Sequence, residues 1–193
     1  MAEIVDQKFK EWTKGKNLKD ARIGIYEGIR DIPYAVIPEL IDPENYINIF
    51  RFNSGSCTPK HFLLYNMYER LGISVLYAVY PFRWDELEID YPPNLKKLAE
   101  ALPTNYHLAC KVDIDGKLVL VDATVDLALE KLGLPVNKEW DGIRDTLLAV
   151  KLFDEEIYHP FEAKLISPSF DEKSLAFYTE LNSWLEEVRN CLY

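Results

Sequence analysis

The stretch that decides the fold runs Tyr106-His107-Leu108-Ala109-Cys110-Lys111-Val112-Asp113-Ile114-Asp115-Gly116-Lys117-Leu118-Val119-Leu120-Val121-Asp122-Ala123-Thr124. Two runs rich in Val, Leu and Ile flank Asp115-Gly116. That pair favours positive φ at both positions and so specifies a two-residue hairpin. With such a turn, Ile114 faces Lys117, Ala109 faces Asp122, and His107 faces Thr124. His107 and Asp122 are then diagonal neighbours on one sheet face. Diagonal neighbours lie roughly 7–8 Å apart at the backbone, within reach of long side chains. A carboxylate there can accept from one imidazole nitrogen and leave the other free.

Upstream lies Ser54-Gly55-Ser56-Cys57-Thr58-Pro59. Thr58 is suited to a helix N-cap and Pro59 to the first helical position. The predicted helix carries Leu63, Leu64, Met67 and Leu71 and stops at Gly72. Cys57 then sits at the helix's N-terminal edge, where dipole and unpaired N–H groups favour a thiolate. Gly55 would let the backbone bend close to a substrate. By position alone a free cysteine is more often an inert core residue. A base with an orienting acceptor changes that reading.

The rest of the chain is read from periodicity. Ile4, Val5, Phe9 and Trp12 predict one helix ending at Gly15, and Leu18 to Ile32 a second, stopped by Pro33. A short helix is expected near residues 44–50. Residues 73–82 read as a strand, and residues 83–104 as a connection with a short helix near 95–102. Residues 146–153 and 161–166 read as further strands. Leu175, Tyr178, Leu181, Leu185, Val188 and Leu192 mark a final amphipathic helix. Helices, then strands, then a helix argue for an α+β fold.

The 193 residues suffice for one well-buried domain. The net charge of −10 disfavours nucleic acid, which needs clustered Lys and Arg. No apolar run reaches the roughly 18 residues of a membrane span. The N-terminus lacks the features of a signal peptide. Three cysteines, an odd number, fit free thiols in a reducing cytoplasm better than a disulfide framework.

The other candidates carry alternatives. Asp126 competes with Asp122 as orienter. His61, four residues after Cys57, could be a second base, a site-lining residue, or a zinc ligand with Cys57 and Cys110 or His107. Cys110 is three residues from His107 on a strand, hence on the opposite face, which weakens a metal site. His159 reads as a surface residue and Cys191 as a packing or exposed thiol. The residue 83–105 connection, with Trp84, Tyr91 and Pro92-Pro93, could form a groove wall or be a plain crossover.

Taken together, Gly55-Ser56-Cys57, the helix ending Leu71-Gly72-Ile73, Tyr106-His107 at a strand start, and Leu118 through Thr124 resemble the motifs of the transglutaminase-like superfamily. Ile29-Arg30-Asp31-Ile32-Pro33-Tyr34 resembles that family's lead-in. The stretch from Leu134 to Gly142 resembles a feature of prokaryotic members, with no role attached. The resemblance covers roughly residues 20–125, a little over half the chain.

It implies one domain over residues 1–193, with the core at about 20–125 and a C-terminal extension at about 126–193. Its fold would be a papain-like core, with the nucleophile-bearing helix packed on an antiparallel β-sheet between N- and C-terminal helices. It implies Cys57 as nucleophile, His107 as general base and acid, and Asp122 as orienter. Trp84, Tyr106 and His61 are the expected substrate contacts, with no metal and no cofactor. The implied chemistry is thiolate attack on an amide carbonyl of a peptide or protein, giving an acyl-enzyme thioester. Hydrolysis leads; transfer to an amine, helped by an acidic rim, or a binding module without activity are the alternatives. The chain departs from the family at Phe62, where many members have a small residue, and it shows no recognisable side-chain oxyanion donor.

Overall fold

The computed structural model describes residues 2–159 and 170–191. The expected strand at 161–166 and the expected Leu192 contact lie outside the described residues. The fold is α+β, a four-stranded antiparallel sheet with helices before, across and after it.

The hairpin is built as its turn residues require. Asp115 and Gly116 have φ of 54° and 80°, the pairing of positive angles expected of a type I′ turn. It joins β2 (Asn105–Ile114) to β3 (Lys117–Val121), with Ile114 opposite Lys117 and Cys110 opposite Val121. The ladder ends at Val121, so Asp122 lies one residue past the strand rather than in it. β1 (Val75–Phe82) pairs with β2 on the other side, and a short β4 (Glu156–Tyr158) completes the order β3-β2-β1-β4.

The N-terminal helices are α1 (Ala2–Thr13) and α2 (Leu18–Arg30); Asn17 caps α2 by accepting from the Asp20 N–H. The short α3 (Ile49–Phe52) follows a 3₁₀ turn at Tyr46–Asn48. The central α4 is Cys57–Arg70. Gly72 adopts φ of 74°, with Ile73 N–H bonded to Tyr68 O at 3.1 Å and Gly72 N–H to Glu69 O at 2.9 Å. This is a complete Schellman stop. α5 (Pro93–Glu100) and α6 (Glu172–Asn190) pack together.

One core lies between α2, α4 and the sheet and includes Ile25, Leu63, Met67, Cys110 and Val121. A second lies between α5, α6 and the connections and includes Trp84, Leu129, Phe177 and Leu181. The stretch 134–142 now has a role. Arg30 donates to the carbonyls of Asn137 and Lys138, Arg22 donates to Gly142 O at 2.6 Å, and the Trp140 ring packs at a tilt against Tyr26. It is a strap held by buried arginines of α2.

Residues 146–153 are not a strand. Thr146 N–H bonds to Leu120 O at 2.9 Å and Ala149 N–H to the Asp122 carboxylate at 2.8 Å. The segment spends its backbone donors on the end of β3 and on two side chains, Asp122 and Asn137, not on a ladder.

Gly55 does not face a substrate. Its N–H and C=O bond Pro33 and Ala35, and a Cβ there would lie 2.8 Å from Ile49 Cδ1. Ile49 is fully buried. Gly55→Ala should therefore lower stability by about 1–3 kcal/mol, as overpacking does. Urea unfolding checks this; an unchanged midpoint would show that Ile49 moves aside freely.

Candidate functional site

Cys57 is the first residue of α4, two residues earlier than the Thr58 cap and Pro59 start suggested. Ser56 is the N-cap, with extended backbone and no side-chain capping bond. The first N–H groups of the helix thus lack both intrahelical and capping partners. They lie at the thiol, and Pro59 at the third position has no N–H to satisfy. The Ser56 hydroxyl is buried and unpartnered.

His107 is near the start of β2, two residues after Asn105, and is 3% exposed. Its Nε2 lies 2.8 Å from Asp122 Oδ2. The other ring nitrogen is left for Cys57, whose thiolate is favoured by the imidazole and by the Leu108 N–H; the thiol's nearest hydrogen-bonding side chain is Thr58, with Oγ1 at 4.0 Å. The diagonal placement read from the hairpin is therefore realised, although Asp122 stands beyond the ladder.

Asp122 is tightly held. Oδ2 also accepts from the Ala149 N–H at 2.8 Å, and Oδ1 accepts from the Thr124 N–H at 3.0 Å. Its own N–H donates to Thr146 Oγ1 at 2.8 Å. A carboxylate accepting three N–H bonds stays ionised despite burial.

The electrostatics follow. Burial by itself would raise the Cys57 thiol, but the hydrogen bond and charge of His107 and the Leu108 N–H bring it below its ordinary value. Burial opposes charge on His107, yet the Asp122 carboxylate, with the thiolate, pushes it up to about 10. Burial likewise opposes charge on Asp122, and His107 outweighs it, holding the carboxyl well below the usual range. The ionised arrangement is a thiolate beside an imidazolium backed by a carboxylate.

His61 is not where the spacing suggested. It is fully buried, and it is not among the residues lining the cavity at Cys57. Its Nδ1 lies 2.8 Å from the Cys57 carbonyl, and its Nε2 accepts from the Ala123 N–H at 3.1 Å. It therefore carries its proton on Nδ1 and braces the nucleophile's helix against the residue after Asp122. A helical side chain tilts toward the N-terminus, so at four residues' distance it met the carbonyl, not the thiol.

Burial pushes His61 down to about 4 against the opposing pull of Asp122. The unfolded chain takes up this proton near 6.5 and the folded one only near 4. Stability from this group is thus complete above pH 6.5 and is lost as the pH falls through 4, by on the order of 3 kcal/mol. His61→Leu should cost about 2–4 kcal/mol by orphaning a carbonyl and an N–H and should flatten that acid-side loss. Urea unfolding from pH 7 to 4 measures both effects, and an equally steep loss in the variant would refute the assignment.

Asp126 does not compete for His107. It pairs with Arg189 of α6 at 2.8 Å and accepts from the Tyr34 N–H at 2.8 Å. Lys60 is buried behind the site and donates to Thr124 O at 2.7 Å and Arg30 O at 3.1 Å. Sequence reasoning passed over it because a lysine inside a helix is ordinarily a solvated residue. Cys110 is in the core under α4, its thiol toward the His61 carbonyl. Cys191 and His159 are exposed. Among the described residues no group of three His, Cys, Asp or Glu side chains could hold a metal ion.

Cys57, His107, Trp84 and Tyr106 line one cavity, with Tyr106 39% exposed. The 83–104 connection does supply walls, through Trp84, Leu87 and Ile89. Tyr91 lies behind them, its hydroxyl on Trp84 O at 3.1 Å and its ring against Trp184.

No family model and no curated protein matches the chain. Among solved structures, a candidate cysteine protease from Cytophaga hutchinsonii aligns at 13% identity and a TM-score of 0.44. The alignment covers 88% of this chain and 55% of that one, so this chain spans about half the length of its neighbour. Similarity at this level says nothing about the chemistry at Cys57. Among the described residues, no helix is long and apolar enough to cross a membrane.

Proposed function

We propose that the chain is a cysteine-dependent acyl hydrolase of transglutaminase-like type, one domain in which Cys57 attacks an amide carbonyl of a peptide or protein. The observation that carries this reading is His107 Nε2 at 2.8 Å from Asp122 Oδ2, with Cys57 and His107 lining one cavity. The thiolate adds to the carbonyl carbon, and the imidazolium of His107 then gives its proton to the leaving amine. Water, deprotonated by the same imidazole, releases the acid from the thioester and restores the thiol. Asp122 holds the ring and favours its charged form. The free N–H groups at the start of α4 and the Ser56 hydroxyl would supply the donors for the carbonyl oxygen as it gains charge, a role for which no motif offered a residue.

Water is favoured over an amine as second acceptor. No Asp or Glu side chain lines the cavity among the described residues, so nothing in it would draw an ammonium group, whereas water needs no built subsite.

The test is to mix the protein with p-nitrophenyl acetate and map the acyl group by mass spectrometry after acid quench. One acetyl on Cys57, and none on Cys110 or Cys191, is the expected result. Acetylation of Cys191 alone would refute the proposal. A parallel incubation with a glutamine-rich protein and dansylcadaverine should give no amine incorporation; incorporation would make the chain a transferase.

A further inference from the structure

The walls of the cavity at Cys57 identify what it accepts. We infer that it is an acyl subsite for a neutral, apolar group joined to the scissile carbonyl, an inference that rests on Cys57 being the nucleophile. A chain with 32 acidic and 22 basic residues places no Asp, Glu, Lys or Arg side chain among the described residues lining this space. Part of the wall comes from Leu181, Trp184 and Leu185 of α6, and part from Phe82 at the end of β1 and from Trp84. These residues belong to the second core or pack against it.

Asn105 spends its amide on the Pro103 carbonyl at 2.8 Å and its oxygen on the Tyr178 hydroxyl at 3.0 Å. Both ends of Asn105 are thus engaged. Ser56, beside Cys57 in sequence, carries a buried and unpartnered hydroxyl, as does Thr124, and the Trp84 indole N–H is buried without a partner too. The space therefore offers a few neutral polar groups against walls that are mostly apolar. A carboxylate or ammonium on the acyl group would be desolvated there with no countercharge other than the His107 ring, which is already paired with Asp122. An aliphatic or aryl chain would gain by every methylene buried. The second core is thus a specificity device as well as a stabilising one.

The group could be a simple acyl chain or the side chain of a peptide's acyl residue, and both have the same chemistry. The test uses p-nitrophenyl esters of acetic, hexanoic, N-acetylphenylalanine and glutaric acids on the intact protein. In each, the Cys57–acyl bond forms as the bond to p-nitrophenolate breaks, and water completes the cycle. The expected kcat/KM for hexanoyl exceeds that for acetyl by at least tenfold, approaching about 200-fold if all four added methylenes are buried. A gain with hexanoyl alone identifies a simple chain, and a gain with N-acetylphenylalanyl identifies a peptide side chain; either supports the subsite. Glutaryl should fall below acetyl. In Trp184→Gln, at a half-buried position, the hexanoyl-to-acetyl ratio should fall several-fold.

Turnover that depends on Cys57 but is flat across the series, or favours glutaryl, would overturn the subsite and leave the nucleophile standing. Absence of Cys57-dependent turnover with every ester would overturn the nucleophile and the subsite together.

Discussion

Replacing Cys57 by Ala, His107 by Ala, or both together should bring acyl transfer from p-nitrophenyl esters down to the same floor. The drop is expected to be on the order of 10⁵-fold or more, as for residues that act as one unit. The argument is electrostatic before it is mechanistic. The thiol of Cys57 is lowered only because His107 and the Leu108 N–H outweigh its burial. Without the imidazole, burial is opposed by a single N–H, and the thiol rises toward or above its ordinary value. The variant loses the thiolate and the proton donor in one change, so deleting the sulfur as well removes nothing further.

Iodoacetamide gives a readout independent of turnover. Alkylation of Cys57 in the parent should be fast at neutral pH and nearly constant up to about 10, where His107 titrates. In His107→Ala it should rise with pH as an ordinary thiol does. Single losses of only tenfold, multiplying in the double variant, would show that Cys57 and His107 act separately.

How far these residues could be read in advance depended on how local their determinants are. The hairpin was legible because its turn chemistry and alternation lie within twenty consecutive residues. From it the closeness of His107 and Asp122 followed without any knowledge of the rest. The start of α4 was misplaced because proline is accepted anywhere in the first turn, where no N–H is needed. Pro59 is third in the helix, not first, so Cys57 is a helical residue and Ser56 the cap. β4 was missed because three residues carry no pattern. The opposite error, a strand at 146–153, came from an apolar run whose donors serve Leu120, Asn137 and Asp122. His61 was drawn toward the thiol by spacing alone, while its partners, the Cys57 carbonyl and the Ala123 N–H, belong to two elements. The cavity was beyond local reading, since its walls come from residues as distant as Trp84, Leu129 and Leu181.

The segment after β3 makes the consequence of a single-atom exchange at Asp122 specific. In Asp122→Asn one oxygen becomes an NH₂ group. If it replaces Oδ2, it meets two donors, His107 Nε2 and the Ala149 N–H; if it replaces Oδ1, it meets only the Thr124 N–H. The second orientation is cheaper, and in it the amide oxygen still accepts from His107. The ring keeps its position and loses its countercharge. Esterolysis should fall by about 10³–10⁴-fold, the scale seen when a triad carboxylate is neutralised.

The pH dependence separates this effect from simple misfolding. Asp122 is the leading reason His107 is raised to about 10 against its burial. A raised imidazole contributes stability that is complete below its unfolded value near 6.5 and disappears as the pH rises through 10. Without the carboxylate the folded value drops, so the alkaline limb of the activity profile should move down by at least two pH units. Acid-side stability should change the other way, because the depressed carboxyl of Asp122 supplies stability above its ordinary range and loses it as the pH falls. Asp122→Asn should therefore unfold less steeply in acid than its parent. An alkaline limb still near 10 in the variant would mean that something other than Asp122 holds the charge on His107.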